Sequence, residues 1–368
     1  MQYVNFYFEI HQPFRIKPIR FTEPNVGDIF WEDFNRKIFE RAADKCYMPT
    51  TKLLIENQFV SNISMSGTFL EQIEKYRPEL IDLFGEYFRS GLGEIICETY
   101  YHSLASIWDA AEFRHQVYML RKKIRDLFGV SPKAFRNTEL IYSDKIAHEV
   151  AKMGFESILA EGRDDLLNGK DPNWVFRSES GLNLLLRNYR LSDDISFRFS
   201  NHGWPGFPLT APKYAGWVAS SPGDVVNLFM DYETFGEHQW PETGIFEFLK
   251  HLPREFSRQN IQMARISDLV SRLETHGTIS VPFYTSWADT SRDLSAWLGN
   301  SMQIESFERM KSLKNTEKQN TWRLLQTSDH LYYMAFGKAE DIEVHGYFSP
   351  YETPYHAFMH YMAALDRL

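Results

Sequence analysis

The sequence predicts an α/β fold in which strands and helices alternate as far as Asp289 and a helical C-terminal region follows. Three observations carry this. Short β-branched and aromatic runs recur, bounded by Gly, Pro or polar clusters. Between them lie longer stretches with apolar residues at helical spacing. From Leu294 onward the helical spacing continues with no convincing strand, through Trp297, Met302, Phe307, Met310 and Leu313 and later Trp322, Leu325, Leu331 and Tyr332. Residues 1–290 therefore form a barrel-like body, and residues 291–368 a helical region packed on it. A chain of 368 residues with 43% apolar content can bury so large a core.

In order, Tyr3–Ile10 is the first strand, ended by Pro13 just after His11. Residues 34–59 are helical, and Phe59–Gly67 is a strand running into a loop. Leu70–Ser90 has Leu80, Leu83, Phe84, Tyr87 and Phe88 on one helical face and stops at Gly91. Gly93–His102 reads as a strand with polar groups at both ends. Ala110–Phe128 is a basic amphipathic helix ending at Gly129, its charges forming a solvated face. Ala134–Leu140 is a strand and terminus, followed by a helix capped near Ser143-Asp144. Gly154–Glu161, Leu182–Asn188 and Val225–Met230 are further strands; Asp164–Gly181 is loop-like. Asn201–Trp217, rich in Gly, Pro and Trp, is an irregular crossing and a candidate binding wall. Ile261–Leu273 reads as a helix, and Thr278–Val281 as a last strand.

Composition excludes several functions. A net charge of −9 with no basic cluster argues against nucleic-acid binding. Aromatics at 15% of residues suit stacking on sugar rings. Cys46 and Cys97 are too few and too far apart for a zinc site or disulfide framework, and no cofactor is expected; no Ca²⁺ loop has recognisable spacing, and whether the acidic loops bind calcium is left open. The N-terminus reads as a strand and not a signal peptide, and no stretch approaches the ~20 apolar residues of a membrane span. A soluble, cytoplasmic chain with no membrane or nucleic-acid partner is expected; its oligomeric state is left open.

Chemistry concentrates where strands end. In barrels of alternating strands and helices, catalytic groups sit on loops at the carboxyl ends of the strands. Asp231 stands at such an end and opens a segment, Asp231–Trp240, holding three acids, a histidine and three aromatics. His11 follows the first strand, and Arg136, Asn137 and Glu139 gather after another.

Read together, His11-Gln12-Pro13, Gly93-Glu94-Ile95, Asn137-Thr138-Glu139-Leu140, Asp231–His238, and Ser286–Asp289 through Leu294–Asn300 resemble, in that order, the five sequence regions of glycoside hydrolase family 57, especially its α-amylase branch. The ending Tyr347–Phe358 is similar to that branch too, so the resemblance spans nearly the whole chain. It implies an incomplete, TIM-like (β/α)7 barrel with a helical region behind it, and retaining action on α-glucans or maltooligosaccharides. Carried over by residue, it implies Glu139 as nucleophile and Asp231 as general acid/base. It also implies His11 and His102 against the sugar at the cleaved bond, with Glu94 and Asp293 in matching regions and Trp240 and Trp287 stacking on sugar rings. Glu94 reads equally well as an acid that orients a neighbour. One departure is Phe-Arg-Asn-Thr-Glu-Leu around Glu139, where many members carry a Trp- and Pro-containing version.

Two carboxylates of opposed protonation suit retaining hydrolysis, which needs one to attack and one to protonate the leaving oxygen. A 4-α-glucanotransferase or branching enzyme shares the first half of that reaction. More remote are a metal-dependent polysaccharide deacetylase, which needs a closely spaced histidine pair that His11 and His102 do not make, and a non-catalytic glucan-binding protein.

Overall fold

A computed structural model describes residues 1–19, 28–167, 169–336 and 349–368; Tyr347 and Phe348, which open the terminal motif, lie outside these. Its strands are β1 (Gln2–Ile10), β2 (Ser61–Met65), β3 (Gly93–Ile96), β4 (Ala134–Arg136), β5 (Ser157–Glu161), β6 (Val175–Ser178), β7 (Asn183–Arg187), β8 (Val225–Asp231), β9 (Ile261–Met263) and β10 (Thr278–Ile279). They form two sheets. One runs β3-β2-β1-β8, with β9 against the start of β1; the other runs β10-β6-β7-β5-β4. All pairings are parallel except β6 with β7.

The two sheets approach each other along two seams. A parallel bridge between Cys97 and Phe135 links the β3 edge to β4. At the other seam no ladder joins β7 to β8, and polar groups span the gap. Asn188 N–H donates to Asn227 O (2.8 Å), Asn227 Nδ2 to Leu186 O (3.0 Å) and Arg187 Nε to Phe229 O (2.8 Å).

Alternation along the strands sorts two faces. On β1, Val4, Phe6, Phe8 and Ile10 join the large core beneath the helices, while Tyr3 and Tyr7 join a second core with Ile96, Ala134, Leu159, Leu185, Val225 and Phe229. On this inner face polarity rises toward the carboxyl ends. Asn5 bonds Asn227 (2.9 Å), and further along the same faces come Glu9, Arg136, Glu161, Arg187 and Asp231. Parallel register sets Glu9 beside Asp231.

Helices fall largely where apolar spacing predicts them. Ala110–Phe128 ends at Gly129 with φ 72°, a left-handed cap that glycine adopts without steric cost, and Ser143 caps Asp144–Lys152 through Ile146 N–H. Five expectations are corrected. The helix expected over 70–90 is two, Gly67–Tyr76 and Glu79–Arg89, broken at Arg77-Pro78, since proline disfavours helical backbone in the residue before it. The expected strand 93–102 stops at Ile96, after which the chain turns. Residues expected to be loop contain β6, drawn into pairing with β7. Ile261–Met263 is strand, because it pairs with the first residues of β1, which β2 leaves uncovered, and the helix begins only at Ile266. The irregular crossing, too, becomes helical from Ala211 to Ser220.

From Ser295 on, the described residues hold helices Ser295–Leu298, Ser301–Ser312, Gln319–Leu324, Asp329–Tyr332 and Pro354–Leu365, and no strand. Trp297 and Trp322 are fully buried, the latter edge-on to Trp108. Among the described residues no helix is long and apolar enough to cross a membrane.

Candidate active site

At the carboxyl ends of β1, β3, β4 and β8 a buried cluster of ionisable side chains forms. Glu9, Glu98, His102 and Arg136 are each at most 3% exposed. Charges are stable at such depth only when paired and hydrogen-bonded. Arg136 Nη1 forms an ion pair with Glu9 Oε2 at 2.9 Å, and that oxygen accepts from Tyr7 (2.5 Å) and Ser64 (2.7 Å); Ser64 reaches Glu98 Oε1 as well (3.0 Å).

His102 connects this cluster to Glu139. Its Nδ1 lies 2.8 Å from Glu98 Oε2 and 3.5 Å from Glu9 Oε1, and its Nε2 lies 3.2 Å from Glu139 Oε1. Burial disfavours the imidazolium, but bonds to Glu139 and Glu98 and the charges of Glu98 and Glu9 outweigh it, so its pKa stands well above the ordinary value. Glu139 is the counterpart. Burial favours its neutral form, yet His102, Arg136 and the Trp287 indole together hold its carboxyl below the ordinary value. Trp287 Nε1 donates to Glu139 Oε2 at 2.7 Å.

The turn that aims Glu139 is strained. Glu139 and Leu140 have φ of 56° and 51°, and His102, Asp289 and Arg292 are left-handed too. Such backbone costs ~1–2 kcal/mol per residue and persists only where surroundings dictate it. Here Trp287 N–H donates to Glu139 O (3.2 Å) and Leu140 N–H to Asn137 O (2.9 Å).

Asp231 has the opposite electrostatics. Burial first, then the negative charges of Glu139 and Glu9, push its pKa to about 7, so it keeps a proton where Glu139 has none. Two residues on, buried Glu233 is pushed to about 8 by burial and by Asp231, and accepts from Tyr47 at 2.6 Å.

His11 stacks on His102 with ring centroids 4.0 Å apart. It bonds Ser66 (2.8 Å) and, from the C-terminal helices, Asp329 (3.0 Å). The same region donates Ser328 N–H to His102 O (2.9 Å).

Of the residues singled out in the sequence, His11, His102, Glu139, Asp231 and Trp287 thus come together. Trp240 stands nearby on the loop after Asp231, 57% exposed, its indole N–H bonded to Glu237 O and Lys45 over its ring. Two others are engaged elsewhere. Glu94 is the second residue of β3, at the opposite end of the strand, where Oε2 accepts from Ser267 N–H (2.9 Å) and Oγ (2.8 Å). It serves the start of helix Ile266–Arg272. Asp293 makes local contacts, its carboxylate accepting from Ser295 N–H and its carbonyl from Ser286.

Five residues of the cluster carry no assignment from the sequence: Glu9, Glu98, Arg136, Glu233 and Asp329. Some signal existed: Glu9 is two residues before His11 on one strand face, and Glu98 is four before His102. Nothing local marks Asp329, 318 positions from its partner. Glu9, Glu98 and His102 have ligand atoms close enough to hold a cation. Arg136 already places a permanent positive charge against Glu9, so the group reads as an internal ion cluster.

The family model of Glycosyl hydrolase family 57 matches residues 5–282. The chain belongs to this family. Its membership makes the protein a glycoside hydrolase by lineage, and its relatives agree. A Methanocaldococcus jannaschii protein named "Putative alpha-amylase" is 43% identical, over 98% of this chain and 83% of that protein. A 4-alpha-glucanotransferase of Thermococcus litoralis is 23% identical over 88% of this chain, which spans only 46% of that protein. A family 57 branching enzyme of Pyrococcus horikoshii superposes with a TM-score of 0.66 at 15% identity, covering 94% of this chain and 87% of that one, a likeness of fold alone.

Proposed function

We propose that this family 57 protein is a retaining α-glucan hydrolase of the α-amylase type, cleaving α-1,4-glucosidic bonds by double displacement. Glu139 acts as nucleophile and Asp231 as general acid and then base. The observation that carries the assignment is the opposed protonation of two carboxyls at one end of the strands. His102, Arg136 and Trp287 hold Glu139 ionised, while Asp231 keeps its proton.

Glu139 attacks the anomeric carbon as Asp231 protonates the departing glycosidic oxygen. Glycosylation then removes the Glu139 charge, one of the forces holding the Asp231 proton, so its pKa falls and it can deprotonate the incoming water. The ring nitrogens of His11 and His102 are taken up by Ser66, Asp329, Glu98 and Glu139, and Trp240 at the rim, more than half exposed, offers its ring to a sugar further along the chain.

The seven mutually parallel strands β1 to β5, β7 and β8, with the two seams between their sheets, support an incomplete (β/α)7 barrel over residues 1–290. The strand-free helices support a separate region over 291–368, and the His11–Asp329 pair supports its taking part in the site.

The test is maltoheptaose incubated with wild type, Glu139→Ala and Asp231→Ala, with chromatography of products and NMR of the first anomer released. Shorter sugars only, first appearing as the α-anomer, with both variants nearly dead, support hydrolysis. Longer sugars beside shorter ones favour the glucanotransferase reading, which the Thermococcus relative's name supports. No change with wild type refutes the substrate assignment.

A further inference from the structure

We infer that Trp287 is a positioning residue that grips the Glu139 carboxylate through its indole N–H, and not a platform for a sugar ring. The inference rests on Glu139 being the nucleophile.

Two grips come from this one residue. Trp287 Nε1 donates to Glu139 Oε2 at 2.7 Å, and Trp287 N–H donates to Glu139 O at 3.2 Å. The second supports the left-handed backbone that Glu139 adopts. The first leaves each carboxylate oxygen with one donor, Oε2 with Trp287 and Oε1 with His102 (3.2 Å). A carboxylate held at both oxygens cannot rotate, which fixes the line of attack.

The ring is itself anchored. The Arg136 guanidinium carbon lies 4.7 Å and that of Arg187 5.7 Å from its centroid. Neither cation is free to drift: Arg136 pairs with Glu9, and Arg187 with Glu161 (3.1 Å), Asp193 (2.6 Å) and Phe229 O (2.8 Å). Cations against an indole face are attracted by its quadrupole and draw electron density from its N–H, which strengthens the bond to a carboxylate. A ring so engaged presents its N–H edge to the site, whereas sugar stacking needs an open face. Trp240 is more than half exposed, with a single cation among the described residues, Lys45, over its ring at 4.8 Å.

The test uses the full chain and 5-fluoro-α-glucosyl fluoride, which traps the glycosyl-enzyme for mass spectrometry. Trp287→Phe keeps an aromatic face and loses the N–H; 3-benzothienylalanine in place of Trp287 keeps the whole ring outline and loses only the N–H. Both are expected to label Glu139 about 10- to 100-fold more slowly than wild type, the range for one hydrogen bond to a charged group. In both, the acidic limb of kcat/KM on maltoheptaose moves to higher pH, because the ionised carboxylate has lost a donor. The other charged groups facing Glu139, namely His102, Arg136, Asp231, Glu9 and Glu98, are common to all three proteins. Wild-type labelling rates and an unmoved acidic limb in the benzothienyl protein overturn the inference even if Trp287→Phe is impaired, since the ring and not its N–H would then matter. Wild type labelled somewhere other than Glu139 removes the nucleophile reading and this inference with it.

Discussion

Asp231→Asn should abolish turnover and yet make the folded protein more stable at alkaline pH. The ordinary aspartate value is 3.8, and in the fold Asp231 is pushed to about 7. Between those values the unfolded chain releases a proton that the folded chain retains. Stability therefore falls as pH rises through that window, levels off above about 7, and carries no penalty below 3.8. Some three pH units at 1.36 kcal/mol each give about 4 kcal/mol as an upper bound. Glu139 and Glu9 share the electrostatics, so ~2–4 kcal/mol is the working range. Asparagine mimics the protonated carboxyl, never charges, and escapes the penalty. Urea unfolding of both proteins at pH 8 and at pH 4 measures the effect. A gain of that size at pH 8 that shrinks toward zero at pH 4 is expected, with unchanged m-values. An equal gain at both pH values, or a loss at pH 8, would refute the claim that a buried proton on Asp231 is held against an electrostatic penalty. In the same protein, α-maltosyl fluoride, whose leaving group needs no acid, should form the glycosyl-enzyme far better than maltoheptaose does, since general acid catalysis is worth roughly 10²–10⁴-fold.

Other consequences are simpler to check. Glu139→Ala should lose at least roughly 10³-fold in kcat, and with azide and an activated α-glucosyl substrate it should yield the β-glucosyl azide, read by NMR; an α-azide would remove Glu139 as nucleophile. Glu94→Ala should leave kcat and KM on maltoheptaose unchanged while costing ~0.5–2 kcal/mol in urea unfolding, because its carboxylate caps the helix at Ser267; a large loss of activity would return Glu94 to the site. Asp329→Asn removes the charge paired with His11 and should lower kcat/KM about 10-fold or more with little change in melting temperature; wild-type kinetics would show that the C-terminal helices only pack against the site.

Periodicity alone located most of the strands, because a buried parallel strand must be apolar and β-branched whatever surrounds it. Local chemistry likewise marked Gly129 and Ser143 as caps. It failed where pairing overrode local preference: Ile261–Met263 carries a helical pattern but pairs with the start of β1, which β2 leaves uncovered, and β6 has no strand signal apart from its partner β7. The site divides the same way. Motif order along the chain pointed to Glu139, Asp231, His11, His102 and Trp287, since each stands at a strand end or on a loop that a strand delivers. What the sequence could not express is which charges face one another. Arg136 reads as any basic residue until burial beside Glu9 makes it the cation that offsets a cluster of acids. Glu94 matches a motif, yet two residues of strand put it at the wrong end. Asp329 is an ordinary helix-start acid until packing brings it 3.0 Å from His11. Residue type and spacing determined which chemistry was available; only the tertiary structure, by removing water and fixing distances, decided which carboxyl keeps its proton and which gives it up.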